Sequence, residues 1–237
     1  MSNEFRDKVV LVTGGAGNVG LAVARQFAGA GARLVLADRG GERLDAAAAL
    51  FPEGAMTAAT DLGDPDAVDA MVRQVEARFG QIHILAHTVG GFVAGTPVHE
   101  TPPDTWERMF ALNVRPVYTV CGRVAQHMLE NAIPGRIVIV LARAAMAGSA
   151  GSGAYTASKA AAQRIMQSMA LELRDRGINV NGVLPSIIDT QPNRDAMPHA
   201  DTSKWVTVED IAASIAFLAS DAARSLHGVS LEVYGRV

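Results

Sequence analysis

Tyr155 and Lys159, in the stretch YTASK, are the pair in this 237-residue chain best suited to moving a proton. Residues four apart in a helix share a face. A free phenol has a pKa of about 10, too high for ready exchange near neutrality. A neighbouring ammonium favours the phenolate, so Lys159 is expected to lower the Tyr155 pKa. A carbonyl held by such a tyrosine usually takes a second hydroxyl. In the segment 137–161, IVIVLARAAMAGSAGSGAYTASKAA, the position where that hydroxyl is sought is Ala142. Loss of one donor to a developing oxyanion typically costs about 10²–10³ in rate. Three outcomes stay open: Ser149 or Ser152 substitutes, the substrate needs little oxyanion support, or the site no longer does redox chemistry.

A second site sits at the other end of the chain. VVLVTGGAGNVGLAVARQFAGAG, residues 9–31, reads as a buried strand, a glycine-rich turn and a helix. Glycines let the backbone approach a pyrophosphate, and the helix N-terminus offers unpaired N–H groups and the positive end of its dipole. The next strand ends LVLADR, placing Asp38 where a carboxylate accepts hydrogen bonds from the adenosine ribose. That charge repels a 2′-phosphate, which favours NAD over NADP, with Arg39 partly offsetting the repulsion.

These residues need a scaffold, and the pattern between them supplies one. Short apolar runs at 9–12, 34–37, 56–59, 82–86, 137–141, 178–183 and 231–233 predict strands, several of them continuous runs covered on both faces. Asp64-Pro65 predicts the start of a helix over 66–79 that Gly80 stops. Thr207 and Asp210 predict a capping box before a helix over 211–219. The alanine clusters at 46–49 and 160–162 read as helix. Strand–helix alternation predicts a single α/β domain over 1–237, a doubly wound parallel sheet of about seven strands with helices on both faces. Hydrophobic residues make up 49% of the chain, enough for a large core, and the net charge of −3 comes without a run of one sign. That argues against a nucleic-acid or polybasic membrane surface. One cysteine, Cys121, and an N-terminus without a secretory pattern fit a cytoplasmic protein. The histidines His83, His87, His99, His127, His199 and His227 show no metal-ligand spacing, so no metal is expected.

Taken in order, these motifs resemble the short-chain dehydrogenase/reductase family over nearly the whole chain. TGGAGNVG is similar to that family's glycine turn, matching at Gly14 and Gly20, with Asn18 in place of the middle glycine and Val19 between; asparagine is tolerated there because it accepts positive φ. TDLGD resembles the adenine-contacting pair, giving Asp61 and Leu62. HTVG stands where the family has NNAG and keeps only Gly90, which removes the usual asparagine contacts. Asn113 in ALNV falls at the family's catalytic asparagine, which the resemblance assigns to a water-mediated relay to Lys159. YTASK matches the YxxxK signature, implying that Lys159 also binds the nicotinamide ribose. LPSIIDT resembles the loop beside the nicotinamide, with Pro185, Ser186 for glycine, Ile188 and Thr190. The family's usual serine falls at Ala142.

The resemblance implies an NAD(H)-dependent oxidoreductase interconverting a small carbonyl and its alcohol. Residues 191–205 would form a substrate lid, and Phe92, Ala142, Met146 and Trp205 would line the substrate side; Trp205 and Met197 could equally anchor the lid. Helices around 104–130 and 154–175 would pair between subunits in a homodimer or homotetramer. Locally, LARAAMAGSAGSGAYTASKAA and TVGGFVAG also resemble dihydropteridine reductases, family members with alanine at the serine position. That keeps a C=N or quinonoid substrate open as an alternative, beside a cofactor-binding protein without turnover.

Overall fold

Seven parallel strands in the order β3-β2-β1-β4-β5-β6-β7 form the centre of the protein. They are β1 (Val9–Thr13), β2 (Arg33–Asp38), β3 (Ala55–Ala59), β4 (Ile84–His87), β5 (Arg136–Val140), β6 (Asn179–Pro185) and β7 (Ser230–Val233). The computed structural model describes residues 4–51 and 53–237; residues 1–3, part of the N-terminus read above as lacking a secretory pattern, and Pro52 lie outside the described residues. The helices are α1 (Asn18–Gly29), α2 (Glu42–Ala48), α3 (Pro65–Phe79), α4 (Pro103–Asn113), α5 (Gly122–Glu130), α6 (Gly153–Leu173), α7 (Gln191–Ala196) and α8 (Val208–Ala219). Every residue of β1, β4 and β6 is buried. Strands covered on both faces have no polar side to alternate with, which is why they read as continuous apolar runs.

Successive side chains of a strand point to opposite faces, so the sheet builds two cores. Leu11, Leu85, Ile137 and Ile139 pack against α3, α5 and α6 through residues such as Met71, Met128 and Met166. Val10, Leu36, Ile84 and Val138 pack on the other face with Val23, Phe27, Ile211 and Ile215 of α1 and α8. The same alternation turns Thr13, at the end of β1, and His87, at the end of β4, toward the α6 side.

Local signals set the ends of the elements. The Asp64 side chain accepts from the Asp66 N–H at 3.0 Å, and Gly80 ends α3 at φ 79°. The capping box at α8 closes both ways, Thr207 Oγ1 accepting from the Asp210 N–H and Asp210 Oδ2 from the Thr207 N–H. The stretch 104–130 is interrupted: after Asn113 the chain passes Pro116 and makes one π turn, Val117–Cys121, before α5. Such turns concentrate near functional sites. The order of the strands reverses between β1 and β4, so the chain leaves these two C-terminal ends in opposite directions and opens a cleft there, as in other doubly wound sheets. Among the described residues, no helix is long and apolar enough to cross a membrane.

Candidate active site

A cleft of about 860 Å³ opens at the C-terminal ends of β1, β2 and β4. Its floor is the glycine turn. Gly14 sits at φ +72°, a conformation that favours glycine, and a Cβ there would stand 2.8 Å from Thr88 Oγ1. A Cβ on Gly20 would overlap the Gly14 carbonyl. At both positions a Cβ would run into neighbouring protein atoms, so the glycines let the turn close tightly beside the α1 N-terminus, an arrangement that fits a pyrophosphate. Asn18 needs no positive φ, contrary to the sequence expectation: it is the first residue of α1, and Gly17 before it is extended at φ −85°. The turn tolerates asparagine because position 18 is helical. Val19 lines the same floor.

Asp38 ends β2 at the rim of this cleft. Its Oδ2 accepts from the Ala16 N–H at 3.2 Å and its Oδ1 from the Arg39 N–H at 2.8 Å, so the carboxylate is tied to the turn. Arg39 lies alongside, exposed. Two cations not anticipated from the sequence join it: Arg43, whose Nη2 donates to the Ala16 carbonyl, and Arg115. Both were legible only as ordinary surface arginines, one at the second residue of α2 and one two residues past Asn113. Asp61 and Leu62 line the cleft next to them; Asp61 Oδ1 accepts from the Gly63 N–H, and the Leu62 carbonyl accepts from Thr119 Oγ1 of the π turn.

The HTVG segment makes contacts of its own to β1. His87 Nδ1 lies 2.8 Å from Thr13 Oγ1, and Thr88 Oγ1 donates to the Thr13 carbonyl at 2.7 Å. Both tie β4 to β1. His87 is fully buried and burial depresses its pKa to about 3, the nearby Lys159 charge pushing the same way.

Asn113 and Lys159 meet, buried, behind Gly90, which lines the cleft. Asn113 Oδ1 accepts from the Gly91 N–H at 2.8 Å; its Nδ2 donates to the Gly91 carbonyl and to Ser158 Oγ, each at 3.0 Å. The amide thus locks the segment after β4 to α6. Lys159 is 5% exposed and donates from Nζ to the Val140 carbonyl at 3.3 Å. A Cβ on Gly90 would lie 2.9 Å from Lys159 Nζ and 3.0 Å from Asn113 Oδ1, so the glycine makes room for both.

Tyr155 stands one turn before Lys159, covered by Phe92, whose ring meets it edge-on with centroids 4.8 Å apart. The expected downward shift of the phenol is reversed. Burial raises Tyr155 to about 12, and burial lowers Lys159 to about 8. The lysine points its proton at a β5 carbonyl, and in the protein alone desolvation outweighs its pull on the phenol.

Ala142 is buried and extended, at φ −166°, at the end of β5. The hydroxyls weighed as replacements are engaged elsewhere or exposed: Ser152 Oγ donates to the Ser149 carbonyl, and Ser149 is exposed. Phe92 and Met146 are 65% and 55% exposed, Phe92 against the Tyr155 ring and Met146 beside Gln163. Trp205 is 7% exposed and so anchors the segment 191–205. That segment contains α7 and the short turn Thr202–Lys204. It is pinned by Arg194, which grips Asp189 with two hydrogen bonds of 2.6 and 2.7 Å, and by Asn193 Nδ2 donating to the Ile188 carbonyl. Pro185 closes β6, Ile188 bridges to Val206, and Thr190 reaches the cleft. Ser186 takes up a clamp of its own, donating from Oγ to the Tyr234 carbonyl. Among the described residues, no cluster of three or more His, Cys, Asp or Glu side chains could hold a metal ion.

Residues 8–201 match the family model for short chain dehydrogenases. The chain is 34% identical over 241 residues to meso-2,3-butanediol dehydrogenase of Serratia marcescens, covering 98% of this chain and 94% of that enzyme. It is 33% identical over 240 residues to D-threitol dehydrogenase of Mycolicibacterium smegmatis, covering 96% and 92%. Among solved structures, NAD+-bound xylitol dehydrogenase superposes with a TM-score of 0.89 at 28% identity, covering 98% of this chain and 99% of that one. The chain belongs to the short-chain dehydrogenase/reductase family. It is an oxidoreductase of the type acting on alcohol and carbonyl groups.

Proposed function

We propose that this enzyme uses NAD(H) to interconvert a small secondary alcohol, of the diol or polyol kind, and its ketone. The observation that carries this reading is a cleft lined by both the Asp38 carboxylate and Gly90, with Lys159 Nζ directly behind Gly90 and Tyr155 one helical turn before the lysine. The names of the relatives, which include a butanediol and a threitol dehydrogenase, support the substrate class.

When bound, the nicotinamide supplies or accepts the hydride. The chain's residues do the rest. Asp38 accepts the ribose hydroxyls and disfavours a 2′-phosphate, while Gly14, Asn18, Val19 and Gly20 leave room for the pyrophosphate. Asp61 and Leu62 flank the adenine, and Pro185, Ile188 and Thr190 flank the carboxamide. Lys159 holds the nicotinamide ribose with protons not used on Val140. Tyr155 Oη gives its proton to the carbonyl oxygen in reduction and takes it from the alcohol in oxidation. A phenol held near 12 is protonated at neutral pH, so reduction is expected to dominate there and oxidation to gain as pH rises. Phe92 and Met146 form the apolar wall against the substrate, with Trp205 anchoring the lid over residues 191–205.

A second reading is favoured by Ala142, which cannot donate a hydrogen bond: reduction of a C=N or quinonoid substrate, which needs a proton and a hydride but little oxyanion support. We also propose a homodimer or homotetramer in the cytoplasm; exposed Trp106, Tyr118 and Leu171 on the α4–α6 side support the assembly. The test is turnover of NAD+ with meso-2,3-butanediol, D-threitol and xylitol, and of NADH with acetoin and a quinonoid dihydropterin. Activity on the first group supports the alcohol reading, activity on the pterin alone the second, and tighter binding of NADPH than NADH overturns the role of Asp38.

A further inference from the structure

Thr13, His87, Asn113, Ser158 and Lys159 form a buried polar seam between the sheet and α6, inside an otherwise apolar core. Most of its hydrogen-bonding capacity is closed. Asn113 is spent on Gly91 and Ser158, Ser158 Oγ donates to the Tyr155 carbonyl at 2.8 Å, and Thr13 Oγ1 meets His87 Nδ1. Two capacities stay open among the described residues. His87 Nε2 is buried with no hydrogen-bond partner. Lys159 Nζ has three protons, and only the one on the Val140 carbonyl is engaged. His87 pairs with Ile139 of β5, and Lys159 Nζ sits on the carbonyl of the next residue, Val140, which brings the two groups to the same end of neighbouring strands; the ammonium opposes a charge on the imidazole. Buried polar atoms without a protein partner are typically met by an internal water making about three hydrogen bonds.

We propose that His87 is a positioning residue for Lys159: its imidazole, neutral and donating Nδ1–H to Thr13 Oγ1, holds a buried water at Nε2 that accepts a hydrogen bond from the Lys159 ammonium. The water donates one proton to Nε2 and accepts one from Nζ, and no covalent bond changes. The imidazole then acts as a fixed acceptor that keeps the lysine charged and aimed. The ionisable groups on the packed elements are few. Helix α6 brings Lys159 and the Tyr155 phenol, and the π turn brings the Cys121 thiol, kept neutral by burial. Strand β1 brings none, and β5 only Arg136 at its far end. The proposal rests on Lys159 being the cation of the site, so its test uses a readout that needs no turnover.

Nitrogen-15 NMR of labelled histidine and carbon-13 NMR of lysine Cε, on the full chain without substrate, read both partners. His87 is expected to stay neutral with Nδ1 protonated from about pH 5 to pH 9. In His87→Leu the Lys159 pKa is expected to fall by about half a unit or more, because the ammonium loses an acceptor. His87→Gln, which keeps an acceptor at similar reach, is expected to restore most of that shift. Should His87→Leu not fold, His87→Asn replaces it, too short to reach the water while still meeting Thr13, with the same fall expected. An unchanged Lys159 titration in a folded variant, or a His87 ring protonated at Nε2, overturns the proposal. A shifted Lys159 together with no turnover of any alcohol or ketone would sink the functional reading and leave this one standing.

Discussion

Asn181 and Asn113 are both buried amides, on opposite sides of one sheet, and they spend their hydrogen bonds to different ends. Asn181 gives Nδ2 to the Leu226 carbonyl and takes the Val229 N–H on Oδ1, each at 2.9 Å, while Asn179 next to it donates to the Arg224 and Leu226 carbonyls. Together they staple the connection before β7 to β6, with the backbone as partner apart from a 3.5 Å contact between Asn179 Nδ2 and His227 Nε2. Asn113 also binds backbone, at Gly91, but the cluster around it keeps unspent capacity: two protons on Lys159, Nε2 of His87 and the hydroxyl of Tyr155. A closed cluster is architecture. An open one beside a cleft can hold something else; on the Asn181 side His227 Nδ1 is left unpaired, away from the residues that line the cleft, so where the unspent capacity lies, rather than burial, separates the two regions.

The largest effect that can break this contrast is on the open side. Tyr155→Phe is expected to lower kcat by about 10²–10⁴, with the melting temperature and NADH affinity little changed, as read by steady-state kinetics and calorimetry. Lys159 and Tyr155 also leave a mark on alkaline stability. Lys159 has a folded pKa of about 8, below its unfolded value, so the unfolded chain binds more protons and stability rises with pH from about 8 to about 10.4. Tyr155, held at about 12, has the opposite sign, and its contribution falls away from about 10 to about 12.

Next in size is acid sensitivity. His87 at about 3 is depressed below an unfolded value of about 6.5, so the unfolded chain binds the extra proton first and stability falls as pH drops through that window. At roughly 1.4 kcal/mol per unit the loss reaches several kcal/mol. His83 and His127 are displaced in the same direction, so the measure is the difference between wild type and His87→Asn in urea unfolding at each pH. A flatter acid limb is expected in the variant.

The closed side gives a smaller and purely structural effect. Asn181→Ala leaves the Val229 N–H unpaired and the Leu226 carbonyl with Asn179 alone, and is expected to cost about 1–3 kcal/mol in stability, with kcat unchanged at temperatures where the variant is folded. A matching loss of kcat would erase the distinction between the clusters. Smallest is Ala142→Ser, which adds the missing donor. It is expected to raise ketone reduction by about tenfold, well below the full worth of a preorganised donor. No change with a ketone would favour a substrate that needs no oxyanion support.

The fold was largely legible because its signals are local. Strands buried on both faces write continuous apolar runs, and Asp64-Pro65, Gly80 and the Thr207–Asp210 box each act within a few residues. The site was legible where spacing along one helix decides it, as for Tyr155 and Lys159. It was not legible where partners come from distant parts of the chain. The Thr13–His87 contact joins residues 74 apart, and Arg43 reaches the glycine turn from 27 residues away. The sign of the Tyr155 shift depends on burial, to which Phe92, 63 positions earlier, contributes by lying across the ring. Trp205 could line a pocket or anchor the lid on sequence grounds; packing put it inside. Asn18 needed its backbone angle, not its residue type, to explain why the turn accepts it.

The most direct measurement is initial-rate NADH formation from NAD+ with meso-2,3-butanediol, D-threitol and xylitol, run in parallel on wild type and Tyr155→Phe across neutral to alkaline pH. Turnover of at least one of these alcohols by wild type, rising with pH and reduced about 10²–10⁴-fold in the variant, is the expected result. Full activity in Tyr155→Phe, or cofactor binding without turnover of any of the three, would contradict it.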